Sequence, residues 1–218
     1  MIGGHSKQFD IYETFVQPNG DADGRQADVG GVWSTFDGSH GIVNNAMRST
    51  APSSFHGYIW MDRPGSPRIK NIYARFKMVE TTANESFTLA PISFWLRQNS
   101  DVNNNDGHGV IVYAEWGISG GVQTANLYLK TKLVGGAIGS PVAITAPDFT
   151  TDYVTLRITD DGSTITAKYD EFVGTLSINT THGIDQSEHP PNGTLGVDWH
   201  PSTNSGVASL DFISTISS

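Results

Sequence analysis

Apolar and polar residues alternate in short segments along most of this chain, and the segments end in Gly, Pro, Asn or Asp. That pattern predicts β-strands joined by turns, with no helix. Across residues 72–78 the apolar positions Ile72, Ala74, Phe76 and Met78 interleave with Tyr73, Arg75 and Lys77, the code of a strand with one buried face. Phe87 and Leu89 run into Pro91, where a bulge or break is expected, and Ile92, Phe94 and Leu96 then alternate with Ser93, Trp95 and Arg97. Val110, Val112, Ala114 and Trp116 alternate with Ile111, Tyr113 and Glu115; Leu127 and Leu129 alternate with Asn126, Tyr128 and Lys130. Farther on, Val154, Leu156 and Ile158 alternate with Thr155, Arg157 and Thr159. Asp161-Gly162 then predicts a tight hairpin turn of the primed type, because both residues tolerate positive φ. A second reversal at Asp170-Glu171 leads into residues 172–178. A loop rich in Gly, Pro and His spans residues 179–193, and residues 194–200 and 207–213 close the pattern as strands.

No linker, repeat or low-complexity tail interrupts this run, and 218 residues suit one all-β domain better than two. Residues 1–218 are therefore expected to form a single domain, with residues 1–8 as an N-terminal extension. A hydrophobic fraction of 37% is too high for a disordered chain, and 16% charged residues are too few for long soluble helices. The absence of cysteine excludes disulfides, thiolate metal sites and a cysteine nucleophile. Thirteen Lys and Arg stand against 22 Asp and Glu, a formal charge of −9, which argues against nucleic acid as the main partner. No apolar run reaches the length of a membrane span, so no membrane insertion is expected. Residues 1–10 lack a basic and then apolar export signal, which implies synthesis in the cytoplasm.

The order of motifs resembles a known family. An aromatic opening strand, Asp10-Ile-Tyr-Glu-Thr-Phe15, leads to Asn19-Gly20 and a Gly-Gly-Val-Trp33 turn, followed by Gly41-Ile-Val-Asn-Asn-Ala-Met-Arg48. A meander over residues 87–134 comes next, then the hairpin from Tyr153-Val-Thr-Leu-Arg157 to Ala167-Lys-Tyr169, and finally Gly193-Thr-Leu-Gly196 and Leu210-Asp-Phe212. Together they resemble the concanavalin-A-like lectin/glucanase jelly rolls, especially the laminin-G-like modules of bacterial enzymes, adhesins and tailed-phage minor tail proteins. The resemblance implies an all-β antiparallel sandwich, a jelly roll, whose concave sheet binds glycans.

If the meander strands are neighbours, their polar phase sets Trp95, Arg97, Tyr113, Glu115, Tyr128 and Lys130 on one face, with Tyr73 and Arg75 beside them. Rings interleaved with hydrogen-bonding groups suit a sugar, whose C–H face stacks while its hydroxyls bond to Arg, Glu or Asn. The same residues also suit cross-strand pairing or contact with a partner subunit. Glycoside hydrolysis needs two carboxylates about 5–9.5 Å apart, and Glu115 is the one acid of its strand. The Glu-x-Asp-x-x-Glu element of the family's glucanases is missing, and Arg97, His108 and Tyr128 are an imperfect version of the lyase set. The seven histidines are dispersed and no Gly-x-Ser-x-Gly elbow occurs. Trp33, Trp60 and Trp199 fall near turns and read as core edges.

Asn19, Asp21 and Asp23 alternate before Gly24, the opening half of a calcium loop, with Asp28 as a further oxygen donor. Asp101, Asn103 and Asn105 repeat the pattern before Gly107. Asx-Gly clusters also form plain turns, and neither loop has the closing Glu. No cofactor is required by this reading, and calcium is the one the loops allow. The sequence therefore points to a non-catalytic, lectin-like adhesion or decoration module on a tailed-phage virion or other extracellular particle. Its expected partners are a cell-surface or cell-wall glycan, other virion proteins and further copies of itself. A glycoside hydrolase or polysaccharide lyase, and a purely structural virion subunit, are the alternatives.

Overall fold

The computed structural model describes residues 11–37, 39–50, 57–61, 69–79, 86–96, 110–119, 122–131, 137–144, 153–170, 176–179, 195–199 and 207–217. The expected extension at residues 1–8, together with Arg97, Asp101, Asn103, Asn105 and His108, lies outside them.

Among the described residues every regular element is a strand. In chain order they are β1 (Ile11–Glu13), β2 (Gly20–Asp21), β3 (Ser34–Asp37), β4 (His40–Ile42), β5 (Met47–Ser49), β6 (Gly57–Met61), β7 (Ile69–Val79) and β8 (Ser86–Leu96). They continue as β9 (Val110–Ser119), β10 (Val122–Thr131), β11 (Ala137–Ile144), β12 (Val154–Asp160), β13 (Thr164–Tyr169), β14 (Leu176–Asn179), β15 (Leu195–Trp199) and β16 (Val207–Ser217). One sheet has nine strands in the order β14-β13-β12-β7-β16-β5-β4-β2, with β1 also on β16. The other has seven, β11-β10-β9-β8-β15-β6-β3. Every pairing is antiparallel, and the chain passes between the sheets several times, as a jelly roll does.

The alternation read from the sequence decides which side of each strand is dry. On the nine-stranded sheet Ile72, Ala74, Phe76, Val154, Leu156, Ile158, Ile165 and Leu210 are fully buried, and on the seven-stranded sheet so are Ile92, Phe94, Val112, Leu195 and Val197. Phe76 of β7 meets Phe94 of β8 across the sandwich at 6.1 Å between ring centroids, and Tyr169 meets Phe76 at 6.3 Å. These two sets therefore line one core between the sheets. Tyr73, Arg75 and Lys77 take the outer side of the nine-stranded sheet; Ser93 and Trp95 take the outer side of the seven-stranded one.

Turn chemistry departs from expectation at one hairpin and explains another. β12 and β13 pair with Asp160 opposite Ile165, as the alternation predicts, but Asp161 N–H donates to Thr164 O at 3.1 Å, so the two loop residues are Gly162 and Ser163 and not Asp161 and Gly162. Gly162 alone has positive φ there, and Asp161 does not. The Asp161 carboxylate caps the loop instead, accepting from the backbone N–H groups of Ser163 at 2.8 Å and Thr164 at 2.7 Å. A primed turn does occur between β4 and β5. Asn44 and Asn45 both have positive φ, 53° and 59°, and Val43 N–H donates to Ala46 O at 2.9 Å. The β8 register shifts between Leu89 and Ile92, the irregularity expected around Pro91.

Candidate functional site

Backbone register places most of the predicted glycan face together. On β8, Ser93 stands opposite Tyr113 and Trp95 opposite Ile111; on β9 and β10, Tyr113 pairs with Tyr128, Ile111 with Lys130, and Glu115 with Asn126. Trp95, Tyr113, Glu115, Tyr128 and Lys130 thus belong to one register phase of three adjacent strands, about 4.8 Å apart. The other edge of the sheet extends the same rows. Asp198 of β15 pairs with Ser93 on one side and Tyr58 of β6 on the other, Asp37 of β3 pairs with Tyr58, and Trp60 pairs with Gly196 beside Trp95. Sequence reasoning did not include Tyr58, Asp198 or Asp37, and Trp60, expected at a core edge, falls instead in the outward register phase of Trp95. Their strands are short, and only pairing across 100 residues and more of chain brings β6 and β15 next to β8.

Three predicted members need correction. Trp95 is only 7% exposed and Ser93 is fully buried, although both point away from the inter-sheet core. Trp95 is a floor beneath the outer surface, with no ring face protruding into solvent. Tyr73 and Arg75 are not beside the meander at all, because β7 belongs to the nine-stranded sheet. There they do what outward residues on a sheet commonly do. The Arg157 guanidinium sits 4.9 Å from the Tyr73 ring centroid, and Arg75 lies 4.5 Å from the Tyr153 ring and 3.1 Å from Asp211.

The first Asx-rich loop forms an open cleft of about 720 Å³, lined among others by Asn19, Asp21, Asp23, Thr35, His40 and Thr50. Its oxygens are partly committed to the backbone. Asn19 Oδ1 accepts from Asn44 N–H at 3.0 Å, Asp21 Oδ1 from Asp23 N–H at 3.0 Å, and Asp23 Oδ1 from Thr35 N–H at 2.7 Å. Arg25 donates to the carbonyls of Asp21 and of Pro18, the latter at 2.8 Å, so two oxygens of the loop already face a guanidinium. Asp28 does not join the set. Its Oδ2 accepts from Thr14 N–H and Thr14 Oγ1 at 3.0 and 2.7 Å. One carboxylate oxygen each from Asp21 and Asp23 remains, short of the six to eight oxygens calcium takes. Among the described residues no group of three or more His, Asp or Glu side chains is placed to hold a metal.

A buried carboxyl escaped the sequence reading. Glu13 in β1 has no solvent-exposed surface, and its Oε1 accepts from Phe15 N–H at 2.7 Å while Oε2 accepts from Trp33 Nε1–H at 3.3 Å. Trp33, expected at a core edge, is fully buried and packs on Phe15 at 6.3 Å. Burial pushes the Glu13 carboxyl above the ordinary value of 4.5, and the charge of Asp28 adds to that, against the lowering by the Phe15, Trp33 and Gln17 hydrogen bonds. Phe15 has φ of 54°, a strained conformation for an aromatic residue, and the Glu13 carboxyl holds its N–H in that position.

No protein-family model matches the chain, and no curated protein matches it in sequence. Solved structures do match in fold. The VIP36 exoplasmic/lumenal domain in its Ca²⁺/Man2-bound form superposes with a TM-score of 0.60 at 14% identity, over 85% of this chain and 81% of that one. The catalytic domain of an endo-1,3-β-glucanase (laminarinase) from Thermotoga petrophila RKU-1 gives 0.57 at 11% identity, over 95% and 96%. A laminarinase from Flavobacterium sp. UMI-01 gives 0.56 at 12% identity, over 96% of this chain and all of that one. The fold is the concanavalin-A-like jelly roll, shared by the VIP36 exoplasmic/lumenal domain and by laminarinases.

Proposed function

We propose that this jelly roll is a non-catalytic glycan-binding module whose site is the outer face of the seven-stranded sheet. The observation that carries the reading is the register row Asp37, Tyr58, Asp198, Ser93, Tyr113 and Tyr128, flanked by the row of Trp60, Trp95 and Lys130. Tyr58, Tyr113 and Tyr128 share the first row with Asp37 and Asp198, over a floor made by the buried Ser93 and Trp95, and rings beside hydrogen-bonding groups are the composition a pyranose ring selects. Similarity in fold to the VIP36 exoplasmic/lumenal domain in its Ca²⁺/Man2-bound form supports the same reading. Catalysis is not part of it. Neither Asp198 nor Glu115 has an acidic neighbour at i+2 on its strand; they stand about 12 Å apart between backbone positions, and Asp37, across Tyr58 from Asp198, stands about 10 Å from it, both wider than the pair of a retaining glycosidase.

A glycan array probed with the wild-type chain and with Tyr113→Ala and Tyr128→Ala tests this. Binding by the wild type, lost about tenfold or more in both variants with an unchanged far-ultraviolet spectrum, is expected. Binding that survives both substitutions refutes the site. Release of reducing ends from laminarin, abolished by Asp198→Asn, would make the protein a hydrolase. Calcium is not needed in this reading, although the cleft of Asp21 and Asp23 adjoins β3 through Thr35; binding lost in EDTA and restored by calcium would show otherwise. The placement on a tailed-phage virion, among other virion proteins and as a homo-oligomer, rests on the laminin-G-like resemblance of the sequence. Immunogold labelling of purified particles checks it.

A further inference from the structure

We propose that the outer face of the nine-stranded sheet is a second binding surface, and that it takes an anionic polysaccharide bearing carboxylate groups along its backbone. The chain has only 13 Lys and Arg and a formal charge of −9, yet Arg75, Lys77, Arg157 and Lys168 come together on three adjacent strands, β7, β12 and β13. Register fixes their spacing. Tyr73 pairs with Arg157 and Arg157 with Lys168, while Arg75 pairs with Thr155. Arg75 and Lys77 are two residues apart on one strand and so share its outer side, where like charges repel unless something holds them.

Tyr153 does so. Arg75 and Lys77 lie 4.5 and 4.6 Å from the same ring centroid, and the Tyr73 ring holds Arg157 in the same way. The rings thus position cations: Tyr153 is shared by Arg75 and Lys77, and Tyr73 carries Arg157. Two carboxylates answer the four cations. Asp211 pairs with Arg75 at 3.1 Å and Asp170 with Arg157 at 2.7 Å, while Lys77 and Lys168 have no ion-pair partner among the described residues. Arg75 keeps 51% of its side chain exposed and Arg157 38%, so both guanidiniums have donors left for a further carboxylate.

The surroundings favour a carbohydrate polymer. Thr155 stands beside Arg75, Thr159 and Thr166 form the row next to Arg157 and Lys168, and the large apolar side chains exposed among the described residues, Val16, Val29 and Val32, are all elsewhere. Phe212, opposite Arg75, is half-buried against Tyr12, and no exposed apolar patch marks the described face for a protein core or a bilayer. A Debye length of about 8 Å at physiological ionic strength screens the remote acidic residues, so the local cation surplus decides.

Affinity electrophoresis of the full chain through gels containing polygalacturonate, with the fully methyl-esterified polymer as the uncharged control, tests the proposal. Retardation by the acid form alone is expected, weakened about tenfold in Lys77→Gln/Lys168→Gln, two changes that strand no carboxylate. Tyr128→Ala, on the other sheet, should leave it unchanged, so failure of the glycan site above and failure of this one are separable. Equal retardation by the esterified polymer, or an unaltered double variant, overturns the proposal. So does tighter binding of duplex DNA through the same lysines.

Discussion

Replacing Glu13 tests how a buried carboxyl shapes stability in this sandwich. Glu13→Ala removes the acceptor of two fully enclosed donors, Phe15 N–H and Trp33 Nε1–H, and of the Gln17 amide at 3.5 Å. Each enclosed donor left without a partner costs about 1–3 kcal/mol, so the variant should lose about 2–6 kcal/mol. Glu13→Gln keeps an oxygen for Phe15 N–H and cannot ionise; its NH₂ replaces the Oε2 that accepts from Trp33 Nε1–H, a penalty that does not vary with pH. Because burial raises the folded-state pKa, the folded chain holds the Glu13 proton more tightly than the unfolded chain between 4.5 and the raised value. Over that window the contribution of Glu13 to stability falls as pH rises; it is complete below 4.5 and lost above the raised value. Urea unfolding followed by tryptophan fluorescence, from about pH 4 to about pH 8, should therefore show Glu13→Gln gaining on the wild type as pH rises. Parallel curves for the two proteins would refute the account, as would a Glu13→Ala penalty below about 1 kcal/mol.

Trp95→Ala should lower stability by about 3–5 kcal/mol, measured by urea unfolding, because the ring is buried under the outer surface. A penalty within about 0.5 kcal/mol would restore Trp95 as a solvent-facing platform. A double-mutant cycle on Phe76→Leu and Phe94→Leu should return a coupling of about 0.5–1.5 kcal/mol, since the two rings meet across the sheets at 6.1 Å; additivity would deny the contact. Asn45→Gly should change the melting temperature little, whereas Asn45→Val should cost about 1–2 kcal/mol, because its φ of 59° is costly for a β-branched residue.

Individual strands were readable wherever the alternation was long. The β12 pattern Val154, Leu156 and Ile158 against Thr155, Arg157 and Thr159 is reproduced residue by residue in burial. β11 was not predicted, since Gly139 and Pro141 break its alternation; it forms at the sheet edge, where a missing N–H is tolerated. The Asp161-Gly162 hairpin was placed correctly and its turn was not, because a carboxylate cap can replace positive φ and composition does not say which will occur. Glu13 gave no signal at all. Its burial comes from Phe15 and Trp33 folding over it, a contact spanning 20 residues in an irregular segment.

The candidate site shows the same division. Within β8, β9 and β10 the period of two assigns Trp95, Tyr113, Glu115, Tyr128 and Lys130 to a common phase, and consecutive hairpin strands keep that phase when they pair. The same local rule put Tyr73 and Arg75 in an outward phase too, but could not say of which sheet. By itself, then, the sequence determined that the chain is all-β, which residues of each long strand face inward, and that aromatic and charged side chains crowd several outward phases. Only the tertiary structure decided that β7 joins β16 and β12 while β8 crosses to the other sheet, and that β6 and β15 bring Tyr58 and Asp198 beside Ser93. Alternation is set by the geometry of each strand alone, whereas partner choice depends on how all the apolar faces can be buried at once. For that reason one predicted face became two, with aromatic and acidic residues on one sheet and cations on the other.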